Sequence, residues 1–270
     1  MSAAPKTVLC IHDLPGFGRA GLSVIVPILS ALGVQAVAVP TSVLSTHTGG
    51  LGAPARLSSP GYGPAALAHY RRLGVRFDCI YSGYLSEPEQ ALLVEQAMEY
   101  WPDALTVVDP VMGDNGRMYS GLAQEMIPAL FNLCSKADMI LPNATEAALL
   151  LGDALPAPGS VTPEAAAESA ARLTRICPQV LLTGVAAGHS VLCAGADKKR
   201  CDLHRAHPHG APDVPRHGGI FSVPCWWAGC CRAMCPKPPP RQPPSLWGTA
   251  CAPPPKVPTS AWGCGWSRCW

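Results

Sequence analysis

Charge is scarce in this chain, and so are the patterns that would place it in a membrane. Charged residues make up 14% of the 270 positions, and the formal net charge is +2. A balance so close to neutrality gives no support to binding of nucleic acid or of an anionic membrane surface. No apolar run reaches the roughly 18–20 residues that span a bilayer, and the N-terminus lacks a charged segment followed by an apolar one. These absences predict a cytoplasmic protein whose partners are neither nucleic acid nor membrane.

Cysteine is plentiful, but the spacings by which cysteine binds metal are missing. Five of the 13 cysteines lie singly in the first 200 residues, mostly within apolar runs, as reduced and buried cysteines do. The other eight lie between Cys201 and Cys269, without paired C-x-x-C units or a Cys/His zinc spacing. We therefore expect no structural zinc site.

Acidic residues are absent after Asp213, where the composition changes. Six of the seven tryptophans lie beyond position 200, and prolines cluster at 238–240, 243–244 and 253–255. Such clusters forbid a helix or a central strand. We interpret residues 224–270 as the product of a shifted reading frame in a GC-rich gene, because reading from the third base turns Trp, Cys and Pro doublets into Val, Leu and Ala. We expect this tail to be disordered.

Up to about residue 197, short apolar runs alternate with amphipathic stretches. Strands are predicted at residues 7–11, 35–40, 78–82, 105–109, 137–141 and 179–183, with a further candidate at 190–194. Helices are predicted at residues 21–32, 63–73, 87–100, 121–135, 144–151 and 163–176. Continuous apolar runs are typical of parallel strands that are covered on both faces. The alternation predicts a three-layer α/β/α domain with a mostly parallel, Rossmann-like sheet and right-handed crossovers.

Gly16, Gly18 and Gly21 form the pattern G-x-G-x-x-G between the first predicted strand and the first predicted helix. A dinucleotide site also needs an acidic residue about 20 residues later to bind the ribose. The second predicted strand ends without one, and Asp13 precedes the glycines. This absence disfavours a nicotinamide cofactor. A structural turn and a loop that lines another ligand both remain open.

Polar residues follow the second and third predicted strands. Thr46 and His47 lie in the stretch STHTGG, and Tyr84 lies in SGYL. Open α/β sheets bind ligands at the carboxyl ends of their strands, and a tyrosine there can pack flat on an aromatic ring. An ordinary polar turn remains the alternative interpretation.

The stretch VVDPVMGDNGRMY is the most specific one in the chain. Asp109 ends a predicted buried strand, and Asp114 follows five residues later in a loop flanked by glycines. Two carboxylates on such a flexible turn suit Mg²⁺. We favour this interpretation over a pair of turn-forming aspartates. Asn143 and Glu146 open the next helix over the same edge, although Asn143 could be only an N-cap, and Thr183 ends a further strand.

These stretches together resemble a known family. IHDLPGFGRAGLSVIVPILSALG, PTSVLSTHTGG, YSGYL, VVDPVMGDNGRMY, ADMILPNATEAALLLG and LLTG occur in order within residues 7–197. They resemble the bacterial pyridoxal (pyridoxine, pyridoxamine) kinases of the ribokinase-like superfamily, to which hydroxymethylpyrimidine kinases are closely related. The resemblance implies a ribokinase-like kinase domain in residues 1–223, incomplete at its end. It also implies ATP- and Mg²⁺-dependent phosphorylation of the 5′-hydroxymethyl group of vitamin B6, usually by a homodimer.

The resemblance also implies roles for individual residues. The pyridine pocket would be lined by Asp13, Thr46, His47 and Tyr84. ATP would contact Asp109, Asn143, Glu146 and Thr183, and Mg²⁺ would be held by Asp109, Asp114 and Glu146. Phosphoryl transfer depends mainly on positioning and on charge neutralisation, which suits these residue types.

One departure concerns the catalytic end of the family pattern. The family ends with G-T-G-D, whose amides hold the transferring phosphate and whose Asp is the general base. This chain has HGGIFSV at 217–223, which keeps Gly218 and Gly219 but lacks the Thr and the Asp. Loss of a general base costs about 10²–10⁴-fold in rate. We therefore expect impaired activity, with a hydroxymethylpyrimidine kinase or a non-catalytic pyridoxal-binding remnant as alternatives.

Overall fold

The computed structural model describes residues 5–49, 51–119, 122–187, 190–197 and 201–205. Three sequence predictions lie outside these residues. They are the end of the kinase domain at residue 223, the remnant Gly218 and Gly219, and the tail 224–270 with its proposed change of reading frame.

Eleven strands and six helices lie within the described ranges. The strands are β1 (Thr7–Phe17), β2 (Gln35–Thr46), β3 (Arg56–Ser58), β4 (Cys79–Ser82), β5 (Leu105–Val108), β6 (Gly113–Asp114), β7 (Arg117–Met118), β8 (Met139–Ile140), β9 (Gln179–Ala187), β10 (Ser190–Asp197) and β11 (Cys201–Arg205). The helices are α1 (Leu22–Ala31), α2 (Tyr62–Arg72), α3 (Pro88–Tyr100), α4 (Met126–Lys136), α5 (Ala144–Leu151) and α6 (Pro163–Leu173).

Nine of these strands form one sheet in the order β11-β10-β9-β8-β5-β4-β1-β2-β3. The six central strands from β9 to β2 pair in parallel, and β3, β10 and β11 join antiparallel at the edges. Strands β6 and β7 form a separate two-stranded hairpin. The predicted mostly parallel α/β fold is therefore confirmed.

The two faces of the sheet bury two different apolar clusters. In β1, Val8 and Cys10 pack with α1, whereas Leu9 and Ile11 pack in the larger cluster that takes in α2 to α6. All four side chains have no exposed surface. A strand that is buried on both faces needs an unbroken apolar run, which is why β1 was recognisable from TVLCI. Helices on both faces make the three predicted layers.

The first two strands continue well past their predicted ends. β1 runs through Pro15 and Gly16 to Phe17, because this segment still pairs in parallel with β2 after an irregularity between His12 and Leu14. Proline and glycine normally weaken or end a strand, so the apolar run alone stopped short. As a result Gly16 lies inside a strand rather than in a turn, and only Gly18 and Gly21 lie in the connection to α1.

The predicted flexible turn at Asp114 is an ordered hairpin instead. Asn115 and Gly116 connect β6 to β7 with φ angles of 52° and 71°. Positive φ at both central residues is the requirement of the two-residue type I′ turn, for which Asn-Gly is the preferred sequence. Asp114 therefore has a defined position.

Five of the six helices begin within one residue of the predicted position. Helix α6 begins as predicted, with Thr162 Oγ1 accepting a hydrogen bond from the Ala165 N–H at 3.2 Å. Helix α4 begins at Met126, five residues later than predicted. Within the described ranges, no helix is both long and apolar enough to cross a membrane.

Candidate active site

Seven of the nine predicted site residues that the structure describes lie at one edge of the sheet. Each lies at or just beyond the carboxyl-terminal part of a parallel strand: Asp13 in β1, Thr46 and His47 at the end of β2, Tyr84 after β4, Asp109 after β5, Asn143 after β8 and Thr183 in β9. This is the edge at which open α/β sheets bind ligands.

The glycines of the G-x-G-x-x-G pattern make room for two of these side chains. Gly18 has a φ of +90°, and a Cβ there would overlap the ring of His47. Gly21 has a φ of +55°, and a Cβ there would lie 2.5 Å from the Asp13 backbone oxygen and from Asp13 Oδ1. The pattern therefore lies against the predicted vitamer residues, which favours the interpretation of a loop that lines a ligand other than a dinucleotide.

A buried histidine joins the residues from β1 and β4. His12 Nδ1 lies 2.5 Å from Asp13 Oδ1, and His12 Nε2 accepts a hydrogen bond from the Tyr84 N–H at 3.3 Å. His12 is only 7% exposed and Asp13 only 5%. Sequence reasoning missed His12, because a single histidine next to a strand end resembles an ordinary core residue.

A cation reaches the same group from the edge of the sheet. Arg56 Nη2 lies 3.5 Å from the Tyr84 hydroxyl oxygen, to which it donates. Burial raises the pKa of Tyr84, the Arg56 charge opposes that shift, and the Asp13 charge adds to it. Asp13, Tyr84 and Arg56 together offer an acceptor, an aromatic ring and a positive charge. These are suitable groups for binding a small aromatic molecule with polar substituents.

Thr46 and His47 are partly exposed beside this group. The Thr46 hydroxyl donates to the His47 backbone oxygen at 3.2 Å, and the Gly49 N–H donates to His47 Nδ1 at 3.1 Å. The Gly49 contact leaves Nδ1 unprotonated, so Nε2 carries the proton of a neutral His47 ring.

On the other side of the edge, Glu146 is held by backbone donors. Its Oε1 accepts from the Met112 N–H at 3.2 Å and its Oε2 accepts from the Asn143 N–H at 2.8 Å. Asn143 Oδ1 in turn accepts from the Thr145 and Glu146 N–H groups, at 2.9 and 3.0 Å. This reciprocal arrangement is a capping box, so Asn143 is the N-cap of α5.

Asp109 and Glu146 are buried carboxylates that repel each other. Burial raises the pKa of Asp109 to about 6, although the nearby His12 and a hydrogen bond from the Tyr81 hydroxyl at 3.2 Å act in the opposite direction. The pKa of Glu146 is raised well above its ordinary value by burial and by the charge of Asp109. Two such groups ionise together only when positive charge is brought to them.

The first turn of α5 also holds the hairpin that carries Asp114. Asn143 Nδ2 donates to the Gly113 oxygen at 2.7 Å, and the Gly116 N–H donates to Thr145 Oγ1 at 2.9 Å. Burial and the charges of Glu146, Asp114 and Asp109 raise the pKa of Tyr119, which lies among them. The hairpin therefore brings Asp114 towards the two buried carboxylates.

The three predicted metal ligands do not form a complete cage. Across the ranges that the structure describes, no group of three or more His, Cys, Asp or Glu side chains could hold a metal ion by itself. Mg²⁺ is usually held by one or two carboxylates, with waters and phosphates completing its coordination. Asp109 and Glu146 are oxygen donors that a nearby cation would allow to ionise together, so their chemistry fits such a partial site.

Thr183 lies beside Asn143. The two residues form an isolated parallel bridge, and the Thr183 N–H donates to the Pro142 oxygen at 2.9 Å. Thr183 is 5% exposed. The end of β9 is thereby joined to the start of α5.

Comparisons with known proteins identify the family of the chain. The family model described as phosphomethylpyrimidine kinase matches residues 17–211. Pyridoxal kinase PdxY of Deinococcus radiodurans is 30% identical over 161 residues, which is 55% of this chain and 52% of that protein. The chain spans about half the length of the curated relatives that it matches.

Two solved structures are similar in sequence and in fold. A Bacteroides thetaiotaomicron protein described as a phosphomethylpyrimidine kinase, crystallised with pyridoxal, is 36% identical with a TM-score of 0.67, over 72% of this chain and 69% of that one. Pyridoxal kinase from Lactobacillus plantarum is 33% identical with a TM-score of 0.67, over 78% of this chain and 74% of that one. Because the family model covers well over half of the sequence and the fold agrees with both structures, the chain belongs to the phosphomethylpyrimidine kinase family of ribokinase-like kinases.

Proposed function

We propose that the chain binds pyridoxal, pyridoxine or pyridoxamine and transfers the γ-phosphate of Mg·ATP to the 5′-hydroxymethyl group. One observation carries this proposal. The polar group around Asp13 and Tyr84 and the carboxylates after β5 and β8 share one sheet edge, and His12 lies between them, in contact with Asp13 and beside the ring of Tyr81, whose hydroxyl donates to Asp109. A vitamer and a nucleotide bound at these two groups would thus lie next to each other at the sheet edge.

The vitamer side comprises Asp13, Thr46, His47 and Tyr84. Asp13 supplies an acceptor for a hydroxyl or ring N–H of the vitamer, and Tyr84 supplies an aromatic face. The ring of His47 occupies the space that the absent side chain of Gly18 leaves, and it carries a donor at Nε2. The relative from Bacteroides thetaiotaomicron, crystallised with pyridoxal, supports the choice of ligand.

The nucleotide side comprises Asp109, Asn143, Glu146 and Thr183, with Asp114 as a further ligand of Mg²⁺. A bound Mg²⁺ would neutralise the phosphates and the buried carboxylates. Asp109 and Glu146 would hold it directly or through water, since a cation would allow both buried groups to ionise. Asn143 and Thr183 lie together beside this position.

Turnover in this proposal is slow, because the general-base Asp of the family is missing at 217–223. A carboxylate that accepts the hydroxyl proton contributes about 10²–10⁴-fold to the rate. We propose that the kinase works as a homodimer in the cytoplasm. A hydroxymethylpyrimidine kinase is the second candidate, since the family model carries the phosphomethylpyrimidine description.

The test is an assay of Mg·ATP-dependent phosphorylation with pyridoxal and with hydroxymethylpyrimidine as parallel substrates, together with calorimetric binding of each. We expect pyridoxal to bind. We expect its phosphorylation to be about 10²–10⁴-fold slower than the turnover of about 1–100 s⁻¹ that is typical of kinases. Turnover within the range typical of kinases would refute the claim that the missing Asp makes turnover slow. Faster reaction of the pyrimidine would favour the second candidate, and binding without turnover would favour a non-catalytic remnant. Failure to bind pyridoxal would refute the proposal.

A further inference from the structure

The imidazole of His12 is surrounded by contacts that leave it one orientation. Nδ1 faces the Asp13 carboxylate at 2.5 Å, and Nε2 faces the Tyr84 N–H at 3.3 Å. The ring centre lies 6.2 Å from that of Tyr81, whose hydroxyl donates to Asp109. His12, which belongs to β1, thus contacts both its neighbour Asp13 and the segment after β4.

The hydrogen-bond partners determine which nitrogen carries the proton. Nε2 receives the Tyr84 N–H and must therefore present a lone pair, so a neutral ring carries its proton on Nδ1. The Asp13 N–H also lies 2.9 Å from Nδ1, but one nitrogen cannot donate and accept at once. The 2.5 Å contact with the carboxylate is shorter and charge-assisted. We therefore infer that the proton stays on Nδ1 and that Nδ1–H donates to Asp13 Oδ1.

Gly83 gives the ring its space. A Cβ at this position would overlap His12 Cδ2 and Nε2. The backbone after β4 can approach His12 this closely only because residue 83 has no side chain. The Tyr84 N–H is brought to Nε2 by the same approach.

We infer that His12 is a positioning residue of the vitamer pocket, which fixes the Asp13 carboxylate through Nδ1–H and the Tyr84 backbone through Nε2. The inference rests on the proposed function for the identity of the ligand. His12 does not touch the reacting atoms in this account. It makes two elements of the fold, β1 and the segment after β4, act as one preformed binding surface.

The first test measures the dissociation constants of pyridoxal and of Mg·ADP for the full chain and four variants. H12L removes both hydrogen bonds, and G83A displaces the ring without altering His12. We expect each to weaken pyridoxal binding by about ten- to hundredfold, as for loss of hydrogen bonds to a charged group, and to leave Mg·ADP binding within about threefold. H12N, whose amide can still donate to Asp13, should recover most of the affinity that H12L loses.

C10A is the matched control. Cys10 is buried in the same strand two residues earlier, and its side chain packs in the apolar cluster that includes α1. A general loosening of β1 should appear in this variant as well. We expect its pyridoxal affinity to equal that of the unaltered chain.

A second measurement determines which nitrogen of His12 carries the proton in the unaltered chain. Imidazole ¹⁵N shifts, assigned to His12 by their loss in H12N, should show a protonated Nδ1 and an unprotonated Nε2. A proton on Nε2 would overturn the inference without touching the proposed function. This measurement remains decisive if H12L or G83A fails to fold.

The outcomes separate the inference from the proposed function. If the unaltered chain binds pyridoxal and H12L and G83A bind it equally well, the inference is wrong and the proposed function stands. If these variants weaken pyridoxal and Mg·ADP to the same degree, His12 has only a structural role and the inference is again wrong. If the unaltered chain binds no pyridoxal, the proposed function is wrong and the inference fails with it.

Discussion

The two sides of the sheet edge use glycine and backbone in opposite ways. On the β1–β2 side, Gly18 and Gly21 provide empty space, which the side chains of His47 and Asp13 occupy. On the β5–β8 side, backbone N–H groups hold a carboxylate, because those of Met112 and Asn143 donate to Glu146. The glycine pattern therefore marks side-chain packing, whereas the anion-binding backbone lies where no such pattern occurs.

This difference separates the consequences of mutation. On the glycine side, the space at Gly18 and Gly21 positions the side chains of His47 and Asp13. Changes there should therefore alter vitamer affinity and leave nucleotide affinity unchanged. The carboxylate side holds two buried carboxyl groups with raised pKa values, so changes there should alter stability, its pH dependence and nucleotide affinity. Each of the following experiments can confirm or break that separation.

The largest expected effect follows from Glu146→Ala. Two buried N–H groups lose their acceptor, at about 1–3 kcal/mol each, so the free energy of unfolding should fall by about 2–6 kcal/mol. Glu146→Gln keeps one acceptor oxygen and should lose about half as much. Urea unfolding measures both.

Glu164→Ala is the matched control, because Glu164 also lies in the first turn of a helix but is exposed. It should cost at most about 1 kcal/mol, as for an exposed charge near a helix N-terminus. Equal losses at Glu146 and Glu164 would contradict the role given to the backbone donors.

A pH dependence follows from the raised pKa of Asp109. Because its pKa rises from the ordinary 3.8 to about 6 in the folded chain, the folded state binds more protons than the unfolded state between these values. The stabilisation from protonated Asp109 is fully present below about pH 4 and is lost as the pH rises through about 6. A shift of about two pKa units corresponds to about 3 kcal/mol.

Urea unfolding in EDTA from pH 4 to pH 7.5 measures this loss of stability. Asp109→Asn should remove that share of the pH dependence, whereas Asp103→Asn, at an exposed position, should retain it. An unchanged slope in Asp109→Asn would show that Asp109 is not the group responsible.

On the glycine side, Gly18→Ala is compared with Gly33→Ala. Both glycines have positive φ, +90° and +77°, so both variants carry the strain of a left-handed residue, about 1–2 kcal/mol. Only at Gly18 does the new Cβ displace His47, since nothing lies within 4 Å of a Cβ at Gly33. We expect pyridoxal affinity to fall about tenfold or more in Gly18→Ala alone. Loss of Mg·ADP affinity in the same variant would instead indicate a phosphate loop.

The smallest effect is expected at the hairpin. Thr145→Val removes the acceptor of the Gly116 N–H, which should cost about 1 kcal/mol and weaken Mg·ADP binding about fivefold by loosening Asp114. Thr145→Ser keeps the hydroxyl and should bind as the unaltered chain does. Calorimetry in Mg²⁺ distinguishes the two, and equal affinities would exclude a positioning role for Thr145.

Most of the central sheet was predictable because its strands are short, continuous apolar runs. The extensions of β1 and β2 were not, since Pro15 lies inside the first and Pro40 directly precedes the second, and their pairing depends on the neighbouring strand. The hairpin at Asn115 and Gly116 carried a recognisable turn sequence, which was interpreted as a flexible loop.

The site shows the same division between local and distant information. Its predicted residues could be collected from sequence because strand ends in a parallel sheet align at one edge. Arg56 could not, because it reaches Tyr84 from β3, whose position depends on pairing with β2. His12 could not either, since its role arises from contacts with a segment about 70 residues away.

The most direct test of the separation between the two sides is a titration of pyridoxal with and without saturating Mg·ADP, followed by the absorbance of the vitamer. The account predicts one pyridoxal site per chain, with a dissociation constant that changes by no more than about threefold when Mg·ADP is present. Competitive displacement, in which the apparent dissociation constant rises in proportion to the Mg·ADP concentration, would contradict it. The glycine side and the carboxylate side would then belong to one overlapping site.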